Sequence, residues 1–308
     1  MNNNYFSKVR ILDGGMGQAL LGKGLKAKGS LWSATALVEK KYHQLVINTH
    51  LDFINAGADV IVTSNFSARR KRMIDNNVNE HFNFANKKAG ELALTAKEVS
   101  KKKILIAGSL PAQHNTYIPD ERDKDLIKKN FYDQAVLLKP FVDFFYLDVL
   151  SSIREVEIAL NAIEKMNLPV LIGIQIKKNS KLPSGESITE MVKRCKNKNW
   201  LGLVAACVSP EIIENTIDEI KILKIPFGFK ANLWKEEEPL PARNIIKVDE
   251  DDGFGSNPAD VLGSRSDFTG GKFCDFSKRM LNKGATILGG CCETKPSHIS
   301  AISGLKQI

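Results

Sequence analysis

The chain has 308 residues, 43% of them hydrophobic, a length and apolar content suited to one α/β domain spanning 1–308. Its formal charge of +9 comes from 44 basic against 35 acidic residues, yet the lysines are scattered and no basic block interleaves with aromatics, which argues for a solvated surface and against a nucleic-acid partner. No window holds the roughly 18 apolar residues of a membrane span, the opening MNNNYFSKVR has no leader-like apolar run, and five cysteines, an odd count, argue against a disulfide scaffold and for a reducing cytoplasm.

Short apolar runs alternate with longer amphipathic stretches along the chain. The runs are VRILDGG (9–15), ADVIVTSN (58–65), KILIAGSL (103–110), VDFFYLDVL (142–150), PVLIGIQI (169–176), GLVAACVS (202–209), FGFKANLW (227–234) and ATILGGCC (285–292). Most lack strict alternation of apolar and polar residues, as expected for parallel strands covered on both faces. Helical patterns fall at 36–55, 79–100, 153–167, 211–224, 272–283 and 297–305. SPEII at 209–213 and KPSHI at 295–299 carry helix-start signals.

Eight β runs separated by helices predict a (βα)8 barrel. A doubly wound sheet is the alternative, but DGGMGQAL at 13–20 is not the G-x-G-x-x-G pattern of dinucleotide folds. The irregular stretch 235–271 reads as an extended loop after strand seven, ordered by a ligand or a partner subunit. Reacting groups of such barrels gather at the carboxyl ends of the strands. Those ends supply Asp13, Asn65, Asp148, Cys207, Asn232, Cys291 and Cys292.

Cys291 and Cys292 are adjacent, follow two glycines and sit far from Cys207 in sequence. That is no zinc-finger spacing, but strands six and eight of a barrel can aim at one central ion. Three thiolates suit zinc, and three protein ligands leave the fourth position of a catalytic site open. The competing reading is that these are buried core cysteines, since cysteine is commonly buried. Cys195 and Cys274 fall in helical or surface patterns and are not favoured as ligands. The histidines show no metal-ligand spacing; His114, on a rim loop, is the least readily assigned to a surface role.

These residues resemble the homocysteine S-methyltransferase family, which includes betaine and S-methylmethionine enzymes. ILDGGMGQAL (11–20), LWSATAL (31–37), INAGADVIVTSNF (54–66), IAGSLPA (106–112) and, above all, GATILGGCCETKPSHI (284–299) carry the resemblance across nearly the whole chain. It implies a (βα)8 barrel, zinc as cofactor on Cys207, Cys291 and Cys292, and methyl transfer to homocysteine to give methionine. Asp13 is then expected to seat the acceptor ammonium, with an Asx turn as its plainer role. Asp148 stands where the family often has glutamate, and Asn232 resembles a family asparagine near the end of strand seven. Trp32 would face the methyl donor, since an indole face attracts sulfonium or quaternary ammonium groups. Phe66 and Tyr117 are expected to pack nearby without donor contact.

Ala206 stands before Cys207 where many relatives have asparagine, and LDV at 147–149 also departs from the pattern. Both departures surround the acceptor pocket. The motif LWSA leans toward S-methylmethionine as donor, with glycine betaine, dimethylsulfoniopropionate and S-adenosylmethionine as alternatives. Relatives lead to the expectation of a homo-oligomer, and a separate corrinoid protein is left open. Two other functions compete: a metal-dependent lyase or hydrolase on the same rim, with Asp13 or Asp148 as base, and a zinc-containing, thiol-binding regulatory module.

Overall fold

A computed structural model describes residues 4–197, 199–239 and 245–307. Eight strands form one parallel sheet: β1 (Arg10–Ile11), β2 (Val60–Val62), β3 (Leu105–Pro111), β4 (Phe144–Leu150), β5 (Val170–Ile174), β6 (Trp200–Val208), β7 (Phe227–Ala231) and β8 (Ile287–Gly290). Their order is β1-β8-β7-β6-β5-β4-β3-β2. A parallel bridge between Leu12 and Val60 joins β1 to β2 and completes the circuit. The chain is a (βα)8 barrel, as the eight apolar runs predict.

The helices begin where side chains can serve their unpaired backbone amides. Ser152, Ser187, Ser209 and Thr269 each accept a hydrogen bond from the first turn of the helix that follows. Pro210 opens its helix at a position that needs no amide donor. At 295–299 the His298 ring, rather than an acid, accepts from the Lys295 amide at 2.9 Å. Helices Lys124–Leu138 and Ile188–Cys195 complete the ring where no full helical pattern is evident in the sequence.

Two apolar layers result. Phe145, Leu147, Ile172, Leu203 and Phe229 point outward into the strand–helix layer. Leu12, Val60, Phe144, Tyr146, Val204 and Ile287 fill the barrel. A short turn at Tyr5–Ser7 inserts Phe6, which is fully buried, edge-on against Phe144 at the start of β4. The amino end of the barrel is thereby closed, and the carboxyl end is left for chemistry.

The predicted extended loop after strand seven is present, apart from residues 240–244, which lie outside the described residues. It is anchored to the rest of the barrel rather than free. Phe254 bridges to Lys28, Gly255 N donates to the Ala27 carbonyl at 2.9 Å, and within the loop segment Trp234 bridges to Ser264. Ile245, Ile246 and Pro258 from this loop reach the wall of the central pocket.

Candidate active site

Strict alternation along β4 and β6 would send one residue in two into the barrel. Both strands break it. The β4–β5 register shifts between Leu147 and Leu150, and the β6–β7 register between Ala206 and Val208. Val149 and Cys207 take left-handed backbone angles, with φ of 62° and 56°. Such bulges re-aim side chains at functional rims. Here they turn Val149 inward beside Asp148 and Cys207 inward beside Ala206, while Leu150 and Val208 still face the helices.

Cys207 meets Cys291 and Cys292 at the end of β8. The three Sγ atoms all lie within 4.8 Å of one another. Cys207 Sγ and Cys292 Sγ are 3.8 Å apart, and all three cysteines are free thiols. The glycines before the pair are required by packing: a Cβ on Gly290 would come within 2.0 Å of the Thr294 hydroxyl. Cys195 and Cys274 lie elsewhere, on helices Ile188–Cys195 and Gly270–Asn282.

Several groups hold Cys207 in place. Asn232 Nδ2 donates to its carbonyl at 2.6 Å. Gln175, with its amide oriented to satisfy its neighbours, donates to the same carbonyl at 3.1 Å and to that of Ala206 at 2.9 Å. The Tyr117 hydroxyl lies 3.2 Å from Cys207 Sγ. Hydrogen bonds from Cys291 and Cys292, with Tyr117 adding to them, hold the Cys207 thiol well below its ordinary range despite burial.

Asp13 forms no Asx turn. Its Oδ2 accepts from the Val62 amide at 2.8 Å, and its Oδ1 pairs with Lys230 Nζ at 2.5 Å. Lys230 is a site residue that the sequence reading does not single out. It lies in β7 between Phe229 and Ala231, and both members of the pair are buried. Burial alone lowers the Lys230 ammonium, but Asp13, with Cys291 and Asp148 adding to it, more than reverses this, while at Asp13 burial outweighs Lys230 and pushes the carboxyl up. Asp148 accepts from Ser109 Oγ at 2.8 Å, and burial, opposed by Lys230, pushes its carboxyl up to about 7. Asn65, on the same rim, is spent on structure: it donates to Asn86 and to the Ser109 carbonyl, both at 3.0 Å.

Trp32 stands on the far wall with left-handed backbone, φ 50°. Its ring meets Phe66 edge-on, with centroids 6.5 Å apart. Gly17 makes room for it, since a Cβ there would touch the indole at 2.5 Å. Trp32, Asp13, Asp148, Lys230, Arg72, Tyr117 and the three cysteines line one pocket of about 920 Å³, mouth included. A concave pocket with apolar walls and a few convergent polar groups suits small molecules. Asn232 is not among the lining residues and acts behind the wall.

The homocysteine S-methyltransferase family model matches residues 10–305. The chain belongs to this family. It is 25% identical to homocysteine S-methyltransferase 1 of Arabidopsis thaliana, over 95% of this chain and 92% of that protein. It is 23% identical to the selenocysteine Se-methyltransferase of Brassica oleracea var. italica, over 95% and 87%. In fold it is similar to the homocysteine methyltransferase MmuM of Escherichia coli in its metallated form, with TM-score 0.77 and 19% identity over 99% of this chain and 100% of that one. Among the described residues, no helix of this family member is long and apolar enough to cross a membrane.

Proposed function

We propose that this family member transfers a methyl group from an activated onium donor to the thiol of homocysteine, forming methionine, with zinc held by Cys207, Cys291 and Cys292. The convergence of three free thiols in one small-molecule pocket carries this reading. The donor set fits the metal. Two sulfurs at about 2.3 Å from a tetrahedral zinc lie about 3.8 Å apart, which is the Cys207–Cys292 separation of 3.8 Å. Zinc, when bound, supplies a Lewis acid that stabilises an acceptor thiol as thiolate at neutral pH.

The chain's own residues supply position and electrostatics. Asn232 and Gln175 fix the backbone of Cys207, so Asn232 serves the acceptor by holding a thiol in place. Asp13 and Asp148 offer oxygens to the acceptor ammonium, with Lys230 balancing the buried charge. The indole of Trp32 forms a wall that tolerates a desolvated sulfonium or quaternary ammonium. In the transfer, the acceptor sulfur forms a bond to the methyl carbon as the carbon–onium bond breaks. The electron pair of that bond stays with the donor and cancels its positive charge, while the thiol proton passes to solvent. The free thiols call for a reducing compartment, which we take to be the cytoplasm.

The test is a panel of methyl-labelled donors offered separately to the zinc-loaded protein with homocysteine. It should contain S-methylmethionine, glycine betaine, dimethylsulfoniopropionate and S-adenosylmethionine, with selenocysteine as a second acceptor. Labelled methionine from at least one donor is expected. No methylated product from any pair, with zinc bound and the fold intact, would defeat the reading.

A further inference from the structure

The stretch RRKR at 69–72 looks like a solvated basic run, but the helix Arg70–Asp75 divides it by phase. Arg70 pairs with Asp133, and Lys71 with Asp75. Arg69 and Arg72 turn inward and are 1% and 9% exposed. Arg69 Nη1 donates to the Ala112 carbonyl at 2.8 Å and to Thr116 at 3.1 Å, while its Nε and Nη2 have no partner. Arg72 Nη1 donates to the Ser30 carbonyl at 3.0 Å. Among the described residues, no carboxylate lies within ion-pair reach of either guanidinium.

Asp75 acts on Arg72 and Asp120 on Arg69 only through space, and a buried cation with no carboxylate in contact favours an anion beside it. Arg72 is also where two cavities meet. It lines the pocket of the thiols and a second, more polar cavity formed with Ser30, Lys71, Asp75, His114 and Asn115. Asp75, the acid of that second cavity, is already taken by Lys71, so the space carries net positive charge. Burial lowers the Arg72 guanidinium to about 10, which leaves it charged at neutral pH.

We propose that Arg72 anchors a carboxylate at the far end of the methyl donor, so that the pocket selects onium donors that end in a carboxylate. This rests on the methyl-transfer reading for the identity of the occupant. The onium end lies against Trp32 beside the thiols, and the carboxylate end reaches Arg72 where the second cavity opens. A planar guanidinium recognises a carboxylate through paired N–H donors, which a point charge does less well. Arg69 adds positive potential behind Arg72 without lining either cavity.

The experiment compares dimethylsulfoniopropionate, which ends in a carboxylate, with trimethylsulfonium, which has none. Wild type, Arg72→Gln and Arg72→Lys are assayed for kcat/KM with each donor, and donor binding is measured by calorimetry without homocysteine. Thermal melts establish that each variant is folded. In wild type the carboxylate donor is preferred, and R72Q lowers that preference roughly 10- to 100-fold, the range of one charged hydrogen-bonded contact. R72K restores part of it. Equal losses for both donors, or an unchanged preference, would overturn the assignment while leaving methyl transfer intact. Carboxylate-selective binding that depends on Arg72 in a protein that transfers no methyl would uphold the anchor and defeat the transferase reading. Binding of neither compound by wild type would overturn the anchor.

Discussion

Replacing Lys230 with methionine should expose how much of the site depends on one buried ion pair. Methionine keeps an unbranched side chain one atom shorter than lysine's and removes the charge. The partner, Asp13, is 1% exposed and would keep only the Val62 amide as a donor. Breaking a buried pair from one side strands the other charge, at a cost of about 3–5 kcal/mol. For a chain of 308 residues that corresponds to a fall in Tm of roughly 5–8 °C. Denaturation of the metal-free protein, followed by circular dichroism, reads the change directly. Adding Asp13→Asn to Lys230→Met removes the stranded charge, so the double variant should be more stable than K230M alone. Two results would refute the reasoning. One is a K230M loss under about 1 kcal/mol, typical of an exposed pair. The other is a double variant whose loss is the sum of the two single losses.

Other expectations concern the metal, the donor wall and a distant acid. Cys291→Ala should lose most bound zinc and nearly all transfer; full zinc by mass spectrometry with normal turnover would contradict the ligand set. Trp32→Leu should raise the KM of an onium donor roughly 2- to 30-fold, the range of a cation–π contact, and should shift the homocysteine KM less. Glu155, far from the thiols in chain position, is buried with one oxygen unpartnered, and burial pushes it up to about 8 despite bonds from Ser151 and Ser152. Its unfolded value is roughly 4.3, so it favours the fold at low pH, and that contribution is lost as pH rises from about 4 through about 8. Relative to wild type, Glu155→Gln should therefore gain stability across that window; a flat difference between the two curves would rule out the shift.

The barrel was legible because strands buried on both faces read as apolar runs. Observed strands fall within or close to the predicted runs, and ends differ where local chemistry intervenes. Gly14 and Gly15, at the end of the first run, already belong to the turn into helix Met16–Gly22. Helix Lys124–Leu138 was obscured because polar residues, Asn130 and Gln134, interrupt its buried face. In the site, the thiols were visible through their rarity and spacing. Lys230 was detectable in principle, since a lysine inside FGFKANLW needs a buried partner, but nothing in the sequence named Asp13 as that partner. Arg72 was hidden in RRKR, where only helical phase separates inward from outward cations. The reach of Tyr117 to Cys207 depends on how the loop after β3 folds back, with φ of 73° at Tyr117, and no local motif signals it.

The central claim is that Cys207, Cys291 and Cys292 form one site that receives the acceptor thiol. X-ray absorption at the zinc edge tests it most directly, on the loaded protein with and without homocysteine. The account predicts three sulfur neighbours without the acceptor and a fourth when it is added. Fewer than three sulfurs, or a sulfur count that homocysteine does not change, would contradict it.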